Sequence, residues 1–175
     1  SSTLATSYYK YYIMDTVMVG NNECIDLAFV PFNSQSYGFT GRLFITTDGH
    51  FAIKKFLLNV PSNINLNFVD NLRITQEFKQ MPDSTWVLDQ ENTFINFYVI
   101  KGAQQLYAHQ MRSYNNYDFS TPPDSVFDVL GSNIVLESAI NQPDSFWVAD
   151  RHVPLKEKEN ALKDLLAELR KVPAF

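Results

Sequence analysis

The chain has 175 residues, with 14 lysines and arginines against 19 aspartates and glutamates, and its formal net charge is -5. Hydrophobic residues make up 45% of the sequence and charged residues 19%, which is typical of a folded globular protein and too apolar for a disordered one. The acidic balance argues against a nucleic-acid partner, because such proteins need a basic surface to bind phosphates.

The first two thirds of the chain alternate apolar and polar residues with the period of two that is typical of β-strands. Residues 9–13 and 25–29 are two such runs, and the turn residues Gly20-Asn21-Asn22 between them predict a hairpin. A second hairpin is predicted at Asp48-Gly49, with Phe51 and Ile53 on its returning strand, because Asp-Gly between alternating apolar runs is a strong hairpin signal. The phase of the alternation slips at residues 54–56, which predicts a β-bulge.

Further strands are predicted around residues 72–78, 86–88, 94–100 and 106–113. Residues 94–100 are almost all apolar, so we expect a central strand that is covered on both faces. A short strand is expected at 134–136. The sum is eight or nine strands between about residues 8 and 137, linked by short turns as in an antiparallel meander.

A helix is predicted from about residue 154 to residue 172, where the apolar period becomes helical. Its apolar stripe consists of Leu162, Leu165, Leu166, Leu169 and Val172. The length suits one domain over residues 1–175, and no apolar stretch approaches the roughly 20 residues of a transmembrane helix.

No motif for catalysis, cofactor binding or metal binding is present in the sequence. The three histidines lack metal-ligand spacing, and no nucleophile elbow or phosphate-binding glycine loop occurs. We therefore predict no catalytic residue, no metal and no cofactor, and we do not expect an enzyme. The single cysteine, Cys24, lies in an apolar run and is expected to be a buried thiol. The carboxylates of Asp26 and Glu91 are expected on a solvated face.

Aromatic residues are unusually frequent, with 14 Phe, 9 Tyr and 2 Trp. They fit the half-buried surface of a sheet, and they also fit an apolar concave face that holds a lipid or another hydrophobic ligand. The composition is compatible with both interpretations. If the sheet is curved, the alternation predicts which residues lie on its concave face and could bind a ligand. These candidate ligand-binding residues are Tyr9, Tyr11, Ile13, Ile25, Leu27, Phe29, Leu43, Ile45, Phe51 and Ile53.

An ordered series of landmarks gives the sequence a family resemblance. The series comprises Tyr12 with Asp15-Thr16, the strand from Cys24 to Pro31, Phe39-Thr40-Gly41 with Leu43-Phe44-Ile45, Ala52-Ile53, residues 65–69, Gln76-Glu77-Phe78, Trp86, Phe146-Trp147 with Arg151, and Pro154-Leu155 with Glu159. The chain resembles, from about Tyr8 to Val172, the middle domain of an uncharacterised family of Bacteroidota outer-membrane proteins.

The resemblance implies a place on the periplasmic face of the outer membrane, between a carboxypeptidase-regulatory-like domain and a C-terminal membrane barrel. The chain would then be an excised fragment of such a protein. Lys156 departs from the family pattern, which tends to have a Ser or Thr cap before the final helix. The early hairpins are also similar, more distantly, to lipoprotein carriers of the LolA and LolB kind, which implies a half-open β-barrel around an apolar cavity.

These observations predict a mainly β fold: a strongly curved antiparallel sheet or half-barrel with one C-terminal α-helix. The leading hypothesis for function is a non-catalytic binding or scaffold domain, whose ligand would be a lipid or a lipoprotein segment. The second hypothesis is an interaction module that docks neighbouring domains of the same envelope protein. The third is an envelope hydrolase, which would need a cleft with convergent catalytic side chains.

Overall fold

The structure, a computed structural model, describes residues 5–33, 38–61, 64, 66–98, 105–124, 127, 141–169 and 171. The chain divides into two compact units, Ser1–Tyr114 and Asn115–Phe175. The single domain expected over residues 1–175 stays a prediction.

The first unit is an antiparallel meander in which each strand pairs with the next one along the chain. Its first described element is a short helix, α1 (Ala5–Tyr8). The described part of the chain then contains seven strands, which are β1 (Tyr9–Val19), β2 (Asn22–Pro31), β3 (Thr40–Thr46), β4 (Ile53–Asn59), β5 (Val69–Gln80), β6 (Trp86–Phe97) and β7 (Leu106–Ser113). Within the described residues β1 and β7 are the two edges and do not pair, so the sheet is open. Its curvature into a half-barrel stays a prediction.

Both predicted hairpins are confirmed. β1 and β2 meet at a tight turn in which Gly20 has a φ of +59°. β3 and β4 form the second hairpin, and the expected bulge lies on β4. Phe44 pairs with Lys55 while the next residue, Ile45, pairs with Ile53, so Lys54 is the extra residue.

The placement of Phe51 on the returning strand is wrong. β4 begins only at Ile53, and Phe51 lies in the connection with a φ of +51° and an exposed side chain. The connection is closed instead by the backbone N–H of Thr46, which donates to the carbonyl of Ala52.

The predicted strands at 86–88 and 94–100 belong to one continuous strand, β6. β6 lies next to the edge strand β7, and most of its residues are half-buried. The expectation of a central strand covered on both faces is therefore wrong. The end of that run, at residues 99–100, and the expected strand at 134–136 lie outside the described residues.

The strand register assigns side chains to two faces, since directly opposed residues of paired strands point to the same side. Face A carries Tyr11, Phe29, Leu43 and Phe56, and face B carries the residues that alternate with them, such as Tyr12.

The second unit contains two described helices, α2 (Asp144–Asp150) and α3 (Glu157–Leu169). The predicted C-terminal helix is α3, which begins three residues later than expected. Its start is fixed by Glu159, whose carboxylate accepts a hydrogen bond from the backbone N–H of Lys156 at 2.8 Å. This is half of a capping box, and the missing half is the hydroxyl that Lys156 lacks. α2 was not predicted, because seven residues are too few to display a helical period.

Candidate binding groove on face A

The register brings nine of the ten predicted ligand-binding residues to one face of the sheet. Two transverse rows illustrate this: Tyr11 opposes Phe29, and Ile13 opposes Leu27, which opposes Leu43. The face A residues among the predicted ten are Tyr9, Tyr11, Ile13, Ile25, Leu27, Phe29, Leu43, Ile45 and Ile53. The tenth, Phe51, lies in the β3–β4 connection, outside the strands.

An open groove with a volume of about 360 Å³ lies on face A over β1 to β4. We call it the β1–β4 groove. Its lining residues are Tyr9, Tyr11, Phe29, Phe39, Leu43, Phe56 and Leu58. Four of the predicted residues therefore line it. The five other predicted residues on face A do not, and Ile13 is 74% exposed at the sheet edge.

Aromatic rings in mutual contact form the floor of the groove. The centroids of Tyr9 and Phe29 are 5.8 Å apart in an edge-on arrangement, and those of Phe29 and Phe56 are 5.6 Å apart. Edge-on and tilted pairs are the favoured geometry for aromatic rings. Phe29 is buried at the centre of this cluster. The floor is therefore a packed aromatic surface rather than a set of separate side chains.

Three groove residues were missed from the sequence: Phe39, Phe56 and Leu58. Phe56 and Leu58 follow the bulge at Lys54, which returns them to face A opposite Leu43 and Gly41. The phase slip in the sequence was the available signal, but the candidate set ended at Ile53. Phe39 precedes β3 and lies outside its alternating pattern, so the sequence did not indicate the direction of its side chain.

Phe39 also lines a pocket of about 180 Å³ beside the groove, together with Val60, Ile64, Leu66 and Leu72. Another pocket, of about 440 Å³, shares Tyr9 with the groove and extends to Tyr8 and Phe32. The apolar surface of the groove thus continues towards the end of the sheet where β1 begins.

On the side of the groove that faces β5, the transverse row through Phe56 continues with polar residues. Phe56 opposes Gln76, which opposes Glu91, which opposes Arg112. The Glu91 carboxylate accepts hydrogen bonds from the Gln76 amide at 2.7 Å and from Arg112 at 2.8 Å. In this row the apolar surface of face A ends at Phe56 on β4, and Glu91 is largely buried and ion-paired rather than solvated as expected.

The expectation of a solvated Asp26 is also wrong. This side chain lies on face B of β2, between two face A residues of the same strand, and is 2% exposed. Arg42 on β3 binds both of its carboxylate oxygens. A buried carboxylate needs such a partner, because an unpaired charge is costly in an apolar environment.

Cys24 is buried, as predicted, and it lies on face B. Burial raises the pKa of its thiol, so the neutral form predominates at neutral pH. Among the described residues, no three His, Cys, Asp or Glu side chains converge to hold a metal ion. In the same part of the chain, no helix has the length and apolar composition to cross a membrane.

Comparison with known proteins identifies one family. Residues 2–117 match the model of a family of unknown function designated DUF5686, a match that covers more than half of the chain and includes all seven strands. No curated protein and no solved structure matches the chain. The resemblance drawn from sequence extended further, to Val172. The chain belongs to the DUF5686 family.

Proposed function

We propose that the β1–β4 groove binds a hydrophobic ligand without catalysis, and that this ligand is the acyl chain of a lipid or of a lipoprotein segment. The observation that carries the proposal is the groove's apolar lining, in which the hydroxyls of Tyr9 and Tyr11 are the only polar side-chain groups among the residues that the structure describes. Its volume of about 360 Å³ lies in the usual range of small-molecule sites, roughly 300 to 1,000 Å³.

We further propose that the chain works at the periplasmic face of an outer membrane, beside other domains of the same protein. The sequence resemblance supports this location, and acyl chains are abundant in a cell envelope. The more distant similarity to lipoprotein carriers supports the same ligand class. No catalytic step is part of the proposal.

Two adjacent tyrosines offer a matched test. Tyr11 lines the groove on face A, whereas Tyr12 lies on face B of the same strand, and both are at least one third exposed. The probe is the fluorescent fatty acid cis-parinaric acid, titrated into the full chain. Tyr11→Glu is expected to weaken binding at least about tenfold, because a carboxylate in the groove loses hydration when an acyl chain covers it.

Tyr12→Glu is the control and should change the dissociation constant by less than about twofold. Equal affinity of the wild type and Tyr11→Glu would contradict the proposal, as would a wild type that does not bind the probe.

A second candidate function is supported by a different observation. β1 is an edge strand whose apolar side chains are exposed on both faces of the sheet, including Tyr12, Ile13 and Met14. An exposed apolar edge strand can pair with a strand of another domain. Docking of a neighbouring envelope domain along β1 is therefore the alternative. In that case Ile13→Lys would abolish association with that domain and leave parinarate binding unchanged.

A further inference from the structure

A second surface with the properties of a binding site lies on face B, over the last three strands. Three transverse rows of three side chains compose it, and we call it the β5–β7 surface. The rows are Asn71, Asn96 and Tyr107; Arg73, Phe94 and His109; and Thr75, Asn92 and Met111. It lies on the opposite face from the β1–β4 groove and shares no residue with it.

In the central row the Phe94 ring contacts both the guanidinium of Arg73 and the ring of His109. The guanidinium carbon of Arg73 lies 4.8 Å from the centroid of the Phe94 ring. The His109 ring is parallel to that of Phe94 within 2°, with the centroids 4.3 Å apart. His109 is fixed further by a hydrogen bond of 2.9 Å between its Nε2 and Oδ1 of Asn92. The cation is thus held in place by ring contacts rather than by a carboxylate.

Arg73 differs in this respect from the two other arginines of the sheet. Arg42 and Arg112 each pair with a carboxylate, whereas Arg73 makes no ion pair within the part of the chain that the structure describes. None of the nine residues of the surface is acidic, although the chain as a whole carries a charge of -5. The surface therefore carries the positive charge of Arg73, which is complementary to an anion.

The remaining residues indicate what kind of anion. The amides of Asn71, Asn92 and Asn96 both donate and accept hydrogen bonds, as sugar hydroxyls require. Tyr107 is 65% exposed and offers a ring face with a hydroxyl at its end. A guanidinium binds a carboxylate through two parallel hydrogen bonds. These amides, the exposed ring of Tyr107 and the guanidinium of Arg73 match a sugar that carries a carboxylate.

We propose that the β5–β7 surface binds an acidic glycan, with the carboxylate of one sugar unit on Arg73. The proposal is independent of the acyl-chain groove, because the two surfaces lie on opposite faces of the sheet. Either can fail in its own test without affecting the other.

The full chain is titrated with tetragalacturonate, with its methyl ester and with tetraglutamate. Binding is followed by the amide chemical shifts in NMR spectra. The methyl ester keeps the sugar rings and removes the charge, whereas tetraglutamate keeps the carboxylates and removes the rings. Tetragalacturonate should bind with a dissociation constant below about 1 mM, and each comparison compound at least about tenfold more weakly.

The variant is Arg73→Gln, and its matched control is Arg112→Gln, which removes a guanidinium from face A of β7. Arg73→Gln should weaken tetragalacturonate binding at least about tenfold, and Arg112→Gln less than about twofold. Dispersed amide spectra verify that both variants are folded. If the wild type does not bind, if the methyl ester or tetraglutamate binds as tightly, or if both variants behave alike, the proposal is wrong.

Discussion

Gly41 lies directly opposite Phe29 across the β2–β3 pair, and the ring of Phe29 occupies the space that a side chain at Gly41 would need. A Cβ atom at this position would lie 2.8 Å from Cζ of Phe29 and 1.8 Å from the backbone oxygen of Leu57. The second contact cannot be relieved by rotating a side chain. The aromatic floor of the groove therefore depends on a glycine in the adjacent strand.

We expect Gly41→Ala to lower the free energy of unfolding by about 2–3 kcal/mol, because overpacking forces the backbone of β3 and β4 apart. Gly20→Ala is the control: its turn has open space but a positive φ, so the loss should be about 1 kcal/mol. Urea unfolding measures both. A loss at Gly41 no larger than that at Gly20 would contradict the predicted clash.

The ion pair between Asp26 and Arg42 predicts an asymmetric mutational effect. Arg42→Gln should lower the free energy of unfolding by about 1–3 kcal/mol, because it leaves the buried carboxylate without its cation. We place the value below that of a fully buried pair because the Arg42 side chain is about half exposed. Adding Asp26→Asn to this variant removes the buried charge and should restore part of the loss. A double variant less stable than Arg42→Gln would show that charge burial is not the cause.

The connection between β3 and β4 should weaken in acid. Hydrogen bonds from the Thr46 hydroxyl and from the backbone N–H of His50 lower the pKa of Asp48 below its ordinary value of 3.8. A carboxylate whose pKa is lowered by folding stabilises the protein above its unfolded pKa. That contribution is lost as the pH falls through the lower folded pKa.

Asp48→Asn should therefore be less stable than the wild type near about pH 7, and the difference should shrink below about pH 4. Urea unfolding across this range measures the difference. A difference that does not change with pH would show that ionised Asp48 contributes nothing to stability.

Lys156 offers a stabilising substitution in the second unit. It precedes α3 and its N–H is already bound by Glu159, so Lys156→Ser supplies the hydroxyl that completes the capping box. We expect the helix to gain about 0.5–1 kcal/mol. Slower hydrogen exchange at the amides of residues 158 and 159 measures the gain. Lys158→Ser is the control, because a serine inside the helix provides no cap and should not slow exchange.

The strands were predictable because their turns and alternation are local features of the sequence. Asp48-Gly49 and the turn at Gly20 mark both hairpins, and each pairing follows from the turn. The burial of Asp26 was not predictable, because its partner Arg42 lies on another strand. Without a visible partner, an aspartate is expected at the surface.

The groove was predicted in part for a similar reason. Tyr9, Tyr11, Phe29 and Leu43 precede the bulge, where simple alternation gives the correct face. Beyond Lys54 the face of each side chain depends on which residue is the extra one, and only the pairing with β3 shows this. The start of α3 likewise depends on a single side-chain hydrogen bond rather than on its apolar stripe.

The most direct test of acyl-chain binding is the mass of the natively purified chain, measured by mass spectrometry before and after organic extraction. The account predicts a stoichiometric mass increment of an acyl chain or lipid on the wild type and on Tyr12→Glu, lost on extraction and strongly reduced on Tyr11→Glu. A wild type with the mass of the polypeptide alone, which also fails to take up added fatty acid, would contradict it.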